Sequence, residues 1–382
     1  MTYLYDDNPH RSPDPGYLGS TSFSATFFES KNFDPAQVTR EDSLTDASTR
    51  RNEWLSHAER SYRVKRGAEC LAWVEHVMPY EGLIEQCKAQ SPGNPLSPWI
   101  TRCMASIRTH IYEPLMSKHG AERENFLFAC SRSIFLESWE VFEESGDLSM
   151  DAYAAAFTGS HIRWETIGIL FTFFALASVY YKYPGVHLAG LERPKLEPGF
   201  ERRLMEASYT CLSFCEEAGH LTDPELWLQC ETFYLCSLIE GDAGHVTWRR
   251  LGDFLSCVVA KGLHSEITVS ATVPFWLAEM RKNAFASAYG QDKAISALIG
   301  RPCRLSREYC VMQLPLDLPP LDLNLSQEQL EERVNSLDDN GWGQSRNATS
   351  LVRAFLISSM LKEDIVNVAL TTIPRDSTSE LR

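Results

Sequence analysis

Apolar residues recur at intervals of three and four along the chain from about residue 48 onward. This spacing places them on one face of an α-helix, and clusters of proline and glycine separate the periodic segments. Alternation typical of a strand is weak and confined to 267–273. The pattern therefore predicts an all-α protein, either a multi-helix bundle or a solenoid-like stack of antiparallel helices. The predicted helices span 48–66, 68–89, 97–117, 123–144, 150–156, 164–181, 198–218, 223–240, 244–261, 273–300 and 348–365.

Local signals mark the ends of several of these helices. Thr222 precedes Asp223-Pro224-Glu225, which supplies a side-chain cap and a proline in the first turn, where its missing N–H costs nothing. Gly241 and Gly262 stand where two later helices should end, because glycine readily adopts the left-handed conformation of a helix C-terminus. These signals agree with the periodicity and support the helical assignment.

The chain divides into three regions by composition. Residues 1–47 carry turn signals and Ser/Thr clusters and should be mostly irregular, 48–366 form a helical domain, and 367–382 form a polar tail. Within the domain, 302–345 is a connection rich in proline and leucine. Its prolines forbid a long helix, and its leucines suggest that it lies across an apolar surface. Residues 326–337 are expected to form a short amphipathic helix.

The most apolar stretch runs from Ile167 to Tyr181. It has 15 residues, fewer than the roughly 20 that a bilayer core requires, and charged residues bound it on both sides. We therefore interpret it as a buried central helix rather than a membrane span.

Overall charge limits the partners that this chain can bind. It has 382 residues with 36 Lys plus Arg against 51 Asp plus Glu, a formal net charge of −15 at pH 7. Such a surface repels the phosphates of DNA or RNA. The one basic segment lies within 48–66, and its ordinary interpretation is a solvated helix face, with a nuclear-import or nucleic-acid contact as the alternative.

The cysteines predict free thiols rather than a metal centre or disulfides. There are 11 of them, an odd number, and no secretory signal precedes them, so we expect a reducing compartment. Zinc sites usually show short spacings between their ligands in the sequence, and no Cys-x-x-Cys pair occurs here. The only conceivable metal set is Cys211, Cys215, Cys230 and Cys236 with His220, and burial in a helical core is the simpler interpretation.

No motif of catalytic chemistry is recognisable. The sequence lacks a Gly-x-Ser-x-Gly elbow, a His-Glu-x-x-His zinc motif, a phosphate loop and a dinucleotide fingerprint. Adjacent residues on a helix point about 100° apart, so neither Glu143-Glu144 nor Glu216-Glu217 should converge on one proton. Asp338-Asp339 sits in a polar turn, and His161, Trp164 and Glu165 mark a helix start. We therefore predict no catalytic, cofactor-binding or metal-binding residue and no enzyme.

The segment 275–302 is the most informative. On a helix, Arg281, Phe285, Tyr289 and Asp292 share one face, and Gly300 followed by Pro302 ends that helix. A buried helix that carries these polar residues needs partners for them, and an Arg–acid pair inside the core is the expected consequence.

This segment resembles the regulatory domain of fungal zinc-cluster transcription factors, the fungal-specific transcription factor domain or middle homology region. The matching positions are Arg281, Phe285, Tyr289, Asp292-Lys293, Gly300-Arg301-Pro302 and Leu314-Pro315. Three more segments are similar to parts of that domain: Tyr17 to Phe23, Arg163-Trp164-Glu165 followed by Ile167-Gly168, and Gly262-Leu263-His264. Together they span roughly 15–370.

The resemblance implies a nuclear transcription regulator that holds only the regulatory and effector domain, and that controls, for example, a metabolic gene cluster. Members of the family usually carry six cysteines that hold two zinc ions and read DNA, whereas here no cysteine precedes Cys70. We therefore expect no cofactor, no membrane and no direct DNA binding. The expected partners are proteins, either a DNA-binding family member or the transcription machinery, with a small-molecule effector and self-association as further options. The alternatives are a ligand-sensing or protein-interaction module, whose cavity the residues around 171–181 could line, and a helical biosynthetic enzyme.

Overall fold

The computed structural model describes Tyr17, residues 59–90, Asn94 and residues 96–182 and 196–370. Every regular element in this part of the chain is a helix, which confirms the predicted all-α class. The α-helices are α1 (Glu59–Leu71), α2 (Val74–Val77), α3 (Glu81–Gln90), α4 (Ser97–Ile107), α5 (Glu113–Met116), α6 (Gly120–Trp139), α7 (Met150–Ala155), α8 (Trp164–Lys182), α9 (Phe200–Ala218), α10 (Asp223–Glu240), α11 (His245–Ala260), α12 (Phe275–Ile299), α13 (Gln327–Asn335) and α14 (Ala348–Leu370).

The apolar helix α8 lies at the centre of the larger core. Its residues from Trp164 to Val179 are buried, and it packs against α3, α4, α9 and α10. By length and composition alone α8 could cross a membrane, but 89% of its most apolar window is buried inside the protein. It is therefore the central core helix that the sequence predicts, and the helices around it form a bundle.

A second core joins α10, α11, α12 and α14. It is built from Phe233, Phe254, Phe285, Tyr289 and Leu356, each at most 1% exposed. The predicted start of α10 is confirmed, because the Thr222 hydroxyl accepts a hydrogen bond from the backbone N–H of Glu225 at 3.2 Å. Helices α10 and α12 contribute to both cores and so connect the two halves of the interior.

Gly67 does not break a helix, contrary to the predicted boundary between 66 and 68. Helix α1 runs through it to Leu71 and breaks at the next two residues instead. A Cβ atom at Gly67 would lie 2.2 Å from the Ser131 hydroxyl and 2.8 Å from the Trp164 ring. The glycine therefore allows close helix packing inside α1, a tertiary requirement that local sequence does not reveal.

Two other predicted helices are interrupted or shortened. The helix expected over 97–117 contains a π-helical turn at Arg108–Tyr112 between α4 and α5. The helix expected over 123–144 ends at Trp139, so Glu143 and Glu144 lie on the connection that follows. The weakly alternating stretch 267–273 is an irregular connection rather than a strand.

The Pro/Leu-rich connection 302–345 packs on the apolar interior, as predicted. Leu318 and Leu323 are part of the larger core, and the expected short helix is α13, which begins with a capping box at Ser326. Two buried charged residues bind the backbone of the connection: Glu279 accepts from the N–H of Leu316 at 2.6 Å, and Arg353 donates to the carbonyl of Pro315. Residues 1–16, 18–58 and 371–382, which include most of the predicted irregular region and the tail, lie outside the described residues.

Candidate functional site

Arg281 lies at the centre of a buried charge cluster, which confirms the expected Arg–acid pair. Its guanidinium donates to both carboxylate oxygens of Asp223, at 2.9 and 2.6 Å, and to Glu144 at 2.6 Å. Lys261 adds a second cation, 3.0 Å from Asp223 and 3.2 Å from Glu144. Burial alone would raise the pKa of Asp223, but Lys261 and Arg281 hold it well below its ordinary value. Two acids and two bases therefore neutralise each other.

A second cluster explains the Asp292-Lys293 motif. Both side chains are fully buried, and Lys293 Nζ lies 2.9 Å from Asp292 and 3.6 Å from Glu363. Asp292 also accepts from the backbone N–H groups of Arg304 and Leu305, each at 3.0 Å. Gly300 has a positive φ of 66°, which turns the chain back so that these N–H groups reach the carboxylate. The motif therefore fixes the loop that follows α12.

Two of the resembling segments, far apart in sequence, touch each other. The backbone N–H of Tyr17 donates to the carbonyl of Ala260 at 2.6 Å, and its ring lies 4.9 Å from the ring of His264 in an edge-on arrangement. Ser265 donates to the Tyr17 hydroxyl oxygen at 3.1 Å. Tyr17 thus docks on the Gly262-Leu263-His264 motif at the end of α11.

The other acids singled out in the sequence do not converge. Glu143 is exposed while its neighbour Glu144 binds Arg281. Glu217 pairs with Arg63 at 3.0 Å, which also places one base of the basic segment against an acid. Asp338 caps its own turn, accepting from the N–H groups of Asn340 and Trp342.

The predicted helix start at 161–165 is confirmed, since α8 begins at Trp164. His161 pairs with Glu137 at 3.0 Å, whereas Glu165 points inward and accepts from Thr222 at 3.0 Å. Burial raises the pKa of Glu165, although the nearby Arg163 opposes the shift, and burial with the charge of Glu165 raises the pKa of Glu225. Neither acid lines the cavities described below.

The cysteines and the histidine considered for a metal site do not assemble. Among the described residues, no group of three or more His, Cys, Asp or Glu is placed to hold a metal ion. Cys211 faces Cys70 at 3.7 Å, Cys236 faces Thr247 at 3.7 Å, and Cys230 lines a cavity. Burial raises the pKa of Cys211 well above its ordinary value, so this thiol stays protonated.

A partly open space of about 190 Å³ lies between α10, α12 and α14. Its apolar wall includes Trp227, Met280 and Val352, and its polar wall includes Tyr234, Asn283 and Ser287. The remaining lining residues are Asn94, Leu96, Cys230, Glu231, Ala284, Pro320, Ala348 and Thr349. We call this space the Glu231 cavity.

Among the described residues that line the Glu231 cavity, Glu231 is the one that carries a charge. Burial raises the pKa of its carboxyl to about 7, and a hydrogen bond with the Asn94 side chain only partly opposes that shift. Near neutral pH the group is therefore divided between its charged and neutral forms. Burial also raises the pKa of Tyr234, so its hydroxyl stays protonated.

A smaller space of about 80 Å³ lies on the other side of Glu231 and Asn94. Phe173, Leu176 and Tyr180 of α8 line it, which agrees with the expectation that residues around 171–181 could border a cavity. Lys88 also lines it, but its ammonium is bound to Glu85 at 2.9 Å and to the hydroxyl of Thr101 at 2.5 Å. This lysine is therefore engaged away from Glu231.

A wider groove of about 930 Å³ runs along the surface between α12, α13 and the connection after α6. Much of its lining is exposed, including Asp147, Asn324, Glu331 and Asn335. The Glu231 cavity is a better candidate site, because it combines an apolar wall with a few polar groups and a shifted carboxyl.

Sequence reasoning did not identify Glu231. A signal was present, because Trp227, Glu231 and Tyr234 are spaced by four and three and so share one face of α10. A single acid between two aromatics on a helix that is otherwise largely apolar is an acid in need of a partner.

Comparison with protein-family models, with curated proteins and with solved structures finds no match to this chain.

Proposed function

We propose that this chain is the regulatory and effector domain of a transcription regulator of the fungal zinc-cluster type. It acts in the nucleus through other proteins, either a DNA-binding family member or the transcription machinery. In this proposal it does not read DNA itself, holds no cofactor and catalyses no reaction.

The contact between Tyr17 and the Gly262-Leu263-His264 segment carries the proposal. The two segments were selected only because each resembles a part of the same domain, and they are more than 200 residues apart in sequence. Tyr17 packs directly against the second of these segments, and this contact supports a shared domain architecture.

The other resembling residues also have interior roles that are compatible with one domain. Arg281 joins α12 to the start of α10 and to the connection that holds Glu144, and Asp292 with Lys293 fixes the loop around Gly300-Arg301-Pro302. A net charge of −15 further favours contacts with proteins over contacts with nucleic acid.

Transcription from a tethered copy tests this function. The chain is fused to an unrelated DNA-binding domain in a fungal host, and a reporter behind the matching operator is measured. We expect at least an about five-fold change in reporter output, up or down, because an effector domain recruits other proteins. An Arg281→Met fusion, matched for protein level, should lose the effect because its interior is disrupted. An unchanged reporter with the folded chain would contradict the proposal.

Direct DNA binding is tested separately with the purified chain. In a gel-shift selection against random duplexes we expect no enriched sequence, because a chain with a net charge of −15 is repelled by the phosphates of DNA. Recovery of one specific site by the chain alone would show that it reads DNA without a partner.

Ligand sensing is the second candidate function, and the Glu231 cavity favours it over the helical enzyme. An enzyme requires ionisable groups that meet at the reacting atoms in a reactive form. The ionisable groups that line this cavity beside Glu231 are Cys230 and Tyr234, and burial raises the pKa of both, so they stay protonated. A regulator requires only a site whose occupancy changes the stability of one conformation.

A further inference from the structure

We propose that the Glu231 cavity binds a small organic cation, an ammonium group carried on a compact apolar body. Binding itself does not depend on the proposed function, whereas a role of that ligand as the effector of transcription rests on it.

The sign of the ligand charge follows from the charges that face the cavity. Glu231 is an acid, and no lysine, arginine or histidine is among the lining residues. Lys88, a basic residue that lines the neighbouring smaller space, is bound to Glu85 and Thr101. An anionic ligand would meet a buried like charge, while a cation would supply the counter-charge that Glu231 lacks.

The contrast with the Arg281 cluster shows what is missing at Glu231. In that cluster each buried acid has a cation within about 3 Å: Asp223 has both Arg281 and Lys261. At Glu231 the described partner is the neutral amide of Asn94. In the part of the chain that the structure describes, no ion pair with Glu231 is present, and a cavity lies beside it.

The polar wall suits the three N–H donors of an ammonium group. Asn283 donates its amide N–H to the carbonyl of Glu279 at 2.9 Å, which leaves its amide oxygen to accept. Tyr234 and Ser287 add hydroxyl oxygens on the same wall. One carboxylate and these neutral acceptors can bind an ammonium ion without a second charged residue.

The apolar wall and the volume define the body of the ligand. Trp227, Met280 and Val352 offer aromatic and aliphatic surface, which favours a hydrocarbon group next to the cation. A cavity of about 150 Å³ accommodates benzene, so about 190 Å³ suits a ring or a short chain that bears one amine. The class is thus primary arylalkyl or alkyl amines of about ten non-hydrogen atoms or fewer.

Calorimetric titration of the purified full chain tests this assignment. The probes are phenethylammonium, cyclohexylammonium and hexylammonium, with 2-phenylethanol as the neutral counterpart and 3-phenylpropionate as the anionic one. At pH 8 we expect at least one amine to bind about ten-fold more tightly than the alcohol, and the carboxylate not to bind. Equal affinity for the alcohol and the amines, or no binding by any amine at millimolar concentration, would overturn the proposal.

Two variants distinguish the cavity from the rest of the surface. Glu231→Gln keeps the side-chain shape and should weaken amine binding at least about ten-fold, whereas Glu240→Gln, at the far end of the same helix, should leave it unchanged. Ala284→Leu fills the cavity without touching the carboxyl and should abolish binding. Circular dichroism establishes that each variant folds. Amine binding that survives both Glu231→Gln and Ala284→Leu would place the ligand elsewhere and refute the assignment.

The pH dependence gives an independent readout, because the other titratable groups that line the cavity, Cys230 and Tyr234, have pKa values raised by burial and stay protonated between pH 6 and pH 8. Asn94 is neutral, and Lys88 across the smaller space is bound to Glu85. Ionised Glu231 rises from about a tenth to about nine tenths between pH 6 and pH 8 for a pKa of about 7. Amine affinity should therefore rise about ten-fold over that interval in the wild-type chain and stay flat in Glu231→Gln. The tethered reporter is measured separately with and without the amine, so a protein that binds the amine but leaves transcription unaltered would refute only the effector role.

Discussion

The Arg281 cluster and the Glu231 cavity are built by the same two helices, α10 and α12, yet they treat an acid in opposite ways. At the start of α10, Asp223 is buried and surrounded by cations, and its pKa is held well below the ordinary value. Two turns further along, Glu231 is half-buried with a neutral partner and an open space, and its pKa rises to about 7. A buried acid with its cation in place stabilises the fold, whereas a half-buried acid without a described cation, next to a cavity, is available to a ligand.

Removal of Arg281 from the Arg281 cluster should have the largest effect on stability. Arg281→Met leaves Asp223 and Glu144 with Lys261 as their remaining cation, and breaking a buried pair from one side costs about 3–5 kcal/mol. We expect that loss in the free energy of unfolding, measured by urea denaturation at pH 7. The matched control is Arg102→Met, which breaks the exposed pair with Asp151 and should cost under about 1 kcal/mol. Equal losses of unfolding free energy in the two variants would contradict a stabilising role of the Arg281 cluster.

Lys293→Met should destabilise the protein less, by about 2–3 kcal/mol. The variant removes the cation between Asp292 and Glu363, but Asp292 keeps the backbone N–H groups of Arg304 and Leu305 as donors. Limited proteolysis should show earlier cleavage within 301–310, because Lys293 also donates to the carbonyl of Leu305. An unfolding free energy within about 0.5 kcal/mol of the wild-type value would mean that this lysine is not needed to fix the loop.

The pH dependence of stability should reverse sign between the two acids. Glu231 has a raised pKa in the folded state, so the native protein holds its proton more tightly than the unfolded chain does, and stability is lost as pH rises from about 4.5 to about 7. Asp223 has a lowered pKa, so its contribution is lost on acidification instead. Glu231→Gln removes the first effect.

That variant should therefore be more stable than the wild-type chain by about 1–3 kcal/mol at pH 8 and similar to it at pH 4.5. Thermal and urea unfolding at both pH values provide the measurement. The control is Glu240→Gln, which breaks only the partly exposed pair with Arg202 and should cost less than about 1 kcal/mol at either pH. A Glu231→Gln chain that is less stable at pH 8 would mean that the ionised carboxylate has an internal cation.

The smallest expected effect on the unfolding free energy comes from a comparison of two alanines of α12, one beside the cavity and one in the packed core. Ala284 lines the cavity, so Ala284→Leu should change the unfolding free energy by less than about 1 kcal/mol. Ala286 is fully buried two residues away, so the same change there should cost about 1–3 kcal/mol through overpacking. Comparable losses at the two alanines would show that the cavity is filled in solution.

Much of the fold was predictable because its signals are local. The spacing of apolar residues predicted the helices, and Thr222 predicted the start of α10. The shared face of Arg281 and Asp292 predicted buried polar residues with partners. The partners themselves could not be predicted, because Glu144 and Asp223 meet Arg281 only through tertiary packing. Gly67 was likewise predicted to end a helix, because the close approach of the Trp164 ring, which only glycine allows there, is a tertiary contact.

The candidate site was harder to predict than the fold. Trp227, Glu231 and Tyr234 form one helix face that is readable from the sequence, but a face does not reveal whether a neighbouring helix fills the space beside it. Here α12 presents the small side chains of Ala284 and Ser287, so the space stays open. The contact of Tyr17 with the end of α11 was likewise beyond local reasoning, because it joins distant segments.

The carboxyl carbon resonance of Glu231 tests the central claim most directly. In the chain labelled with ¹³C at glutamate carboxyl carbons, the resonance that disappears in Glu231→Gln is followed from pH 4 to pH 9. We predict a midpoint near 7 for the free protein and a lower midpoint with saturating phenethylammonium, because the cation stabilises the ionised form. A midpoint near 4.5 that the amine leaves unchanged would show that Glu231 already has its counter-charge and would contradict the account.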